Sequence, residues 1–387
     1  MTSFTKNLIC QNRDLKEGLM ENQKSGSRKE SNAKKAIRVL VVDDSPLFRQ
    51  MISTLFHRYP QFEIVGLVED GEKAMKWVVE HKPDVVLLDL EMPHIDGFTF
   101  LRWLMAYFPT PVLVISSRAD GYSVFRAMEL GASDFFAKPS YNRTLSEHSE
   151  ELVSKIEVIS KISKEKLVKK YAEAASLQPQ IVPPAPPPRS KKPISRVLAI
   201  GASTGGPPAL YKIITSLPEE IPAAIVISQH MPAGFTKSFS ERLNKSSHVS
   251  VLEAVGGEQL ENGRVYVAPG GYHLLFEQRD SKVYTVLKEK REEDRYVPSV
   301  DLMMSSAAQI FGHQVYGIIL TGMGNDGKIG MKLIKEKGGT TLAESEETAV
   351  VYGMPREAVQ AGVVDKSLPL DQISDEILKH YGLTRKK

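Results

Sequence analysis

Short apolar runs alternate with helical periods along most of the chain. From residue 37 the runs are Ile37–Val42, Glu63–Val68, Asp84–Leu88, Val112–Ile115 and Ser133–Phe136. Between them, stretches such as Leu47–Phe56 and Tyr122–Leu130 place apolar residues at helical spacing. Alternation of this kind predicts a five-stranded parallel sheet with helices on both faces. The pattern resumes after residue 194 with Arg196–Ile200, Ala223–Ser228, Val265–Ala268, Tyr272–Phe276, Val283–Leu287 and Val315–Leu320. Two of these runs flank Gln278-Arg279-Asp280-Ser281, which reads as a hairpin turn. The second half is therefore expected to be another doubly wound α/β domain with an antiparallel ribbon attached.

What separates the two halves is polar or proline-rich. Residues 141–178 are helix-prone and rich in Lys and Glu, and residues 179–193 hold seven prolines. A proline-rich stretch of this kind extends as polyproline II and acts as a semi-rigid spacer. Residues 1–36 carry eight Lys/Arg against four Asp/Glu and show no sustained period, so they read as a disordered arm. The expected divisions are the arm 1–36, a first domain 37–158, a linker 159–193 and a second domain 194–387.

Composition narrows the classes. The charge balance is 50 Lys+Arg against 47 Asp+Glu, a net +3. That excludes a strongly basic nucleic-acid coat and an acidic solvating chain. With Cys10 as the only cysteine, an intramolecular disulfide is impossible and a reducing, cytoplasmic setting is expected. No apolar run reaches the roughly 18 residues that a membrane helix needs, and the N-terminus lacks a signal-peptide core. No membrane insertion is expected.

In a parallel sheet, residues just past the strand ends meet at one edge. The first run ends in Asp43-Asp44, the third is followed by Asp89, the fourth by Ser116-Ser117 and the fifth by Lys138-Pro139. Clustered carboxylates repel one another, and a hard divalent cation such as Mg²⁺ relieves the repulsion. One carboxylate is then free to attack a phosphoryl group, with Lys138 sharing the charge and Ser116 hydrogen-bonding an oxygen. The stretches VLVVDDS, VVLLDLEMPHIDG, PVLVISS and GASDFFAKP make residues 37–140 resemble a response-regulator receiver domain, which is flavodoxin-like. The resemblance implies that Asp89 is the phospho-acceptor and that Asp43 and Asp44 form the acidic pocket. It also implies that Glu91 supplies a backbone carbonyl to the metal, and that Ser116, Phe135 and Lys138 are switch residues.

The second half carries a different chemistry. The run Arg196–Ile200 leads into Gly201-Ala202-Ser203-Thr204-Gly205-Gly206, which fits a nucleophile elbow, although glycine-rich turns also cradle phosphates. A serine nucleophile needs a base and a group to orient it. His230 follows Ala223–Ser228 and Asp326 follows Val315–Leu320, so all three side chains can meet at one edge. The order Ser…His…Asp differs from that of α/β-hydrolases, for which only His380 follows Asp326. The glycines of 322–327 free backbone N–H groups for an oxyanion, with Met323 the candidate donor.

IGASTGGP, ISQHMPAGFT, YVAPGGYH, Tyr296-Val297-Pro298-Ser299-Val300-Asp301, ILTGMGNDG and VYGMPREA together make residues 194–370 resemble the catalytic domain of chemotaxis protein-glutamate methylesterases, the CheB family. The resemblance implies a phosphorylation-activated serine esterase, without a cofactor at the esterase site, that also deamidates receptor glutamines. Its partners would be a chemotaxis histidine kinase and the cytoplasmic helices of methylated chemoreceptors, and it would act as a monomer. The alternative classes are response regulators with a DNA-binding or nucleotide-binding output domain. No helix-turn-helix pattern or basic footprint supports the first. For the second, Glu219-Glu220 precede a proline and the next strand, where an acidic ribose reader would end one.

Overall fold

The computed structural model describes residues 35–116, 121–138, 148–169 and 194–384. Cys10, most of the N-terminal arm, Ser117, Pro139 and the proline-rich stretch lie outside the described residues.

The first half contains β1 (Ile37–Val42), α1 (Pro46–Phe56), β2 (Phe62–Val68), α2 (Gly71–His81) and β3 (Val85–Asp89). It continues through α3 (Gly97–Tyr107), β4 (Val112–Ser116), α4 (Gly121–Glu129), β5 (Asp134–Ala137) and α5 (Ser149–Ile159). The sheet order is β2-β1-β3-β4-β5, with every pairing parallel. β3 and β4 are buried at every position, because helices cover both faces of a parallel sheet. Val39, Val41 and Leu87 face α1 and α5, while Leu40, Val86 and Leu88 face the other layer. Ser45, Asp70 and Asp96 cap α1, α2 and α3 through their side chains, which fixes where each helix begins.

The second half starts with β6 (Val197–Ala202), α6 (Gly206–Ile214), β7 (Ala224–Gln229), α7 (Phe235–Ser246), β8 (Ser250–Glu253) and β9 (Arg264–Val267). The hairpin β10 (Tyr272–Arg279) and β11 (Lys282–Glu289) follows, then α8 (Val300–Phe311), β12 (Val315–Ile319) and α9 (Lys328–Glu336). The last elements are β13 (Thr340–Glu344), α10 (Met354–Gln360), β14 (Lys366–Leu368) and α11 (Leu370–His380). The seven-stranded sheet runs β14-β13-β12-β6-β7-β9-β8, all parallel. The antiparallel ribbon turns at Asp280, whose φ of 55° is left-handed, as a tight hairpin requires. Chain order reverses around β6, so the carboxyl ends of β12, β6 and β7 open a crevice of the kind where doubly wound sheets bind ligands.

The two sheets share one contiguous core. Phe125 lies against Phe239 with ring centroids 5.2 Å apart, and Phe135 against Phe235 at 4.9 Å. Glu129 on α4 accepts a 3.0 Å hydrogen bond from Arg242 Nε on α7. The linker expected over 159–193 begins differently from its sequence reading. Ile159 and Leu167 are buried, and Lys166 donates to the carbonyls of Glu346 and Ala349 at 2.7 and 2.9 Å. Residues 159–169 therefore extend the first domain's core through Ile159, Ile162 and Leu167 and reach the second domain through Lys166. Their charges dominate the composition, but isoleucine and leucine at intervals of three to five residues give them a buried face.

Candidate active site

Ser203 is the first residue after β6. Its N–H donates to Thr321 O at 3.0 Å, and its carbonyl accepts from Gly206 N at 2.8 Å and Gln229 Nε2 at 2.9 Å. These bonds bend the chain into a turn that leaves the side chain half-buried at the crevice. Gly205, at φ 78°, adopts the left-handed conformation that lets α6 start at once. Gly322 is needed for space, because a Cβ there would lie 2.3 Å from Met354 Sδ and 2.8 Å from Ser203 Cβ.

His230 is the first residue after β7, the strand beside β6, and its N–H donates to Ala202 O at 3.1 Å. Its Nε2 lies 2.7 Å from Asp326 Oδ2, which leaves Nδ1 as the ring nitrogen available to the serine. The structure thus joins His230 to Asp326 directly. It places Ser203 at the adjoining strand end, with no Ser203–His230 side-chain bond among the described residues. Such bonds are often long before substrate binds. Tyr296 stacks on the imidazole at 4.8 Å with an interplanar angle of 6°, and the Arg295 guanidinium lies over the Tyr296 ring at 5.2 Å.

Asp326 sits at the N-terminus of α8. It accepts from Val300 N at 2.7 Å, Asp301 N at 2.8 Å and Ser299 Oγ at 3.1 Å. Burial pushes its carboxyl up, but the His230 bond and the helix N–H groups outweigh that and hold it below the usual carboxylate range. Asp326 therefore stays charged opposite the imidazole. His273 supports the same helix start, because its Nδ1 accepts from Ser299 N at 3.2 Å while Nε2 faces Asp294 Oδ2 at 2.9 Å. Tyr296, Ser299 and His273 lie in motifs legible in the sequence, yet nothing there separated their roles. The one usable signal was Ser299 before an apolar run, an N-cap pattern.

Met323 lines a cleft of about 560 Å³ with Tyr296, Gly324, Tyr352 and Arg356. Among the described residues its N–H has no acceptor. His380 stacks on Tyr316 at 4.2 Å, at the opposite edge of the sheet, so it stands outside this crevice.

At the edge of the first sheet, oxygens of Asp43, Asp44 and Asp89 all lie within 4.8 Å of one another. Lys138 lies 2.8 Å from Asp43 Oδ2 and contacts Asp89 as well. Burial, augmented by the nearby charge of Asp89, raises the Asp43 carboxyl despite Lys138. Burial works to lower the Lys138 ammonium, but the two carboxylates overcome it and raise it. An all-oxygen donor set of this charge fits Mg²⁺. Glu91 is exposed, and its N–H donates to Asp89 Oδ1 at 3.1 Å. Ser116 is buried at the end of β4, and its carbonyl accepts from Lys138 N at 2.7 Å.

The strand β5 that precedes Lys138 also reaches the second domain. Asp134 Oδ2 accepts from Thr204 Oγ1 at 2.6 Å and pairs with Lys155 at 2.7 Å. Thr204 follows the candidate nucleophile. One short strand thus spans from the acidic cluster to the Ser203 turn, with Phe135 between them on Phe235.

The family model for CheB methylesterase matches residues 198–377, and that for the response regulator receiver domain matches 39–150. A protein-glutamate methylesterase/protein-glutamine glutaminase 3 from Geobacter sulfurreducens is 45% identical over 371 residues, covering 90% of this chain and 98% of that one. A relative from Pyrococcus horikoshii, named protein-glutamate methylesterase/protein-glutamine glutaminase, is 39% identical over 353 residues, covering 90% and 95%. The crystal structure of the Thermotoga maritima CheB methylesterase catalytic domain is 41% identical, covering 48% of this chain and 98% of that one, with a TM-score of 0.47.

Proposed function

The chain belongs to the CheB family of receiver-linked protein-glutamate methylesterases, and from that premise we propose that it hydrolyses glutamate methyl esters on chemoreceptor cytoplasmic helices through Ser203, His230 and Asp326. The observation that carries the reading is the 2.7 Å His230–Asp326 contact at the strand end beside Ser203. Ser203 Oγ attacks the ester carbonyl while His230 takes its proton. The tetrahedral oxygen is met by the Met323 N–H. His230 then returns the proton to the leaving methoxide, and methanol departs. Water, deprotonated by the same imidazole, cleaves the acyl-enzyme and leaves a glutamate carboxylate on the receptor. A glutamine side chain in the same position releases ammonia in place of methanol. The set comes from one chain, so a monomer suffices, and the receptor's cytoplasmic helices place the enzyme in the cytoplasm.

A fluorophosphonate probe tests the nucleophile. Labelling should map to Ser203 and vanish in His230→Ala; a label elsewhere, with Ser203 unmodified, contradicts the assignment.

On the first domain, Asp89 accepts a phosphoryl group from a chemotaxis histidine kinase. Asp43, Asp44 and Asp89, with the Glu91 carbonyl, would hold Mg²⁺, which when bound offsets charge on the phosphoryl oxygens. Lys138 contributes a second positive charge. The phosphoryl group carries about −1.5 to −2 charges in place of the single charge of the Asp89 carboxylate, at the point where Lys138 now pairs with Asp43 and Asp89. Ser116 and Lys138 turn toward the new oxygens, and β5 carries that change to Phe135 and Asp134. Asp89→Asn should abolish acid-labile phosphorylation and leave basal methanol release within about twofold of wild type, because Asp89 makes no contact with the Ser203 crevice. Acid-labile ³²P incorporation and a methanol assay read the two effects separately.

A further inference from the structure

We propose that Glu344, at the end of β13, is a positioning residue for the nucleophile and acts through Thr321. The inference rests on the reading of Ser203 as nucleophile and adds a residue to it. Glu344 is 1% exposed, and its carboxylate is bonded to Thr321 and Thr348. Its Oε2 accepts the Thr321 N–H at 2.8 Å, and its Oε1 accepts from Thr348 Oγ1 at 2.9 Å. Thr321 in turn grips both sides of the nucleophile peptide. Its carbonyl accepts from Ser203 N at 3.0 Å, and its hydroxyl donates to Thr204 O at 2.9 Å. The same hydroxyl accepts from Val351 N at 2.9 Å. Thr321 also leads into Gly322-Met323, the segment that offers the oxyanion N–H. A single buried carboxylate therefore fixes the residue from which both the nucleophile turn and the oxyanion loop hang.

The charged groups around Glu344 are Lys166 and Lys169 from the 159–169 segment and Lys212 from α6, with Glu347, which pairs with Lys169 at 3.7 Å, and Asp371 lining the same small cavity. Burial pushes the Glu344 carboxyl up to about 7, against the lowering pull of the Thr321 and Thr348 hydrogen bonds and, less strongly, of Lys166 and Lys212. Its ionised form makes a charge-assisted bond to Thr321 N–H, and protonation weakens that bond. Ser203 geometry then depends on the charge of Glu344 near neutral pH.

The test measures methanol release and the rate of fluorophosphonate labelling of Ser203, in the full chain, against pH. Glu344→Leu leaves the Thr321 N–H buried without an acceptor. It should lower kcat and the labelling rate by about ten- to a hundredfold with KM within about twofold. Glu344→Gln keeps an acceptor, so it should recover activity to within about threefold at pH 8. Because protonated Glu344 resembles the amide, the ratio of wild-type to Glu344→Gln activity should fall by up to about threefold between pH 8 and pH 6, as Glu344 takes up a proton that the amide cannot. A folded Glu344→Leu with wild-type kcat, or a Glu344→Gln limb that superimposes on wild type, overturns the proposal. If Glu344→Leu does not fold, the Glu344→Gln profile decides alone. If the wild type labels at Ser203 but releases no methanol, the substrate reading fails, while the labelling rates still judge Glu344.

Discussion

Ser203→Ala should reduce methanol release from methylated receptor by about 10⁴- to 10⁶-fold, the scale seen when a triad nucleophile is removed. The reason for so large an effect is chemical. The half-buried hydroxyl is the proposed nucleophile beside His230, and without it what remains is water held near the proposed oxyanion site. The fold should survive, because the hydrogen bonds that residue 203 contributes to the turn are made by its backbone. Its N–H to Thr321 O, and its carbonyl to Gly206 N and Gln229 Nε2, are all kept by alanine. Thermal unfolding should therefore be nearly unchanged. Retention of more than a tenth of the activity by the folded variant would remove Ser203 from the chemistry.

Removal of residues 1–193 should raise basal esterase activity by about 30- to 150-fold. The first domain lies on the residue after the nucleophile, where Thr204 Oγ1 donates to Asp134 at 2.6 Å. The tilted aromatic pairs Phe135–Phe235 and Phe125–Phe239, with Arg242–Glu129, extend that contact over α7. A receptor helix and the first domain then compete for the same approach to Ser203. Aromatic pairs contribute about 0.5–1.5 kcal/mol each beyond their area, and a buried hydrogen bond about 1 kcal/mol. A docked state favoured by about 2–3 kcal/mol holds the open fraction at one part in about 30–150, and deletion releases it. Arg242→Glu, which places like charges at Glu129, should move the full chain part of the way. Unchanged or lower activity from a fragment with a native circular-dichroism spectrum would show that the docked domain does not restrain the enzyme.

Much of this arrangement was legible in the chain because strand ends in a parallel sheet converge. Asp43, Asp89 and Lys138 reach one edge, and Ser203, His230 and Asp326 another, by topology alone. Three strands were not legible. β8 is the four residues Ser250–Glu253 and β14 only Lys366–Leu368, too short to show a period. β13, Thr340–Glu344, reads as polar at both ends, because Glu344 is buried there by bonds to Thr321 and Thr348 that no local pattern encodes. The packing of 159–169 was hidden for a related reason. Lys166 looks solvated in the sequence and instead caps carbonyls 180 and 183 residues away. Asp326 as a helix-bound carboxylate needed the fold, since its donors Val300 and Asp301 are more than twenty residues earlier.

The proposed coupling between the two domains would run through β5. Lys138 at one end bonds to Asp43 and Asp89, while Asp134 and Phe135 hold Thr204 and Phe235. The strand is short and paired with β4 along its whole length, with no break between Asp134 and Ala137.

The most direct measurement is methanol release from a methylated chemoreceptor by the intact chain, with Mg²⁺, before and after addition of a small-molecule phosphodonor. The account predicts slow release that rises at least tenfold with the donor, and no such rise in Asp89→Asn. Release that is absent under both conditions, or that is equal in the two while Asp89 is phosphorylated, would contradict it.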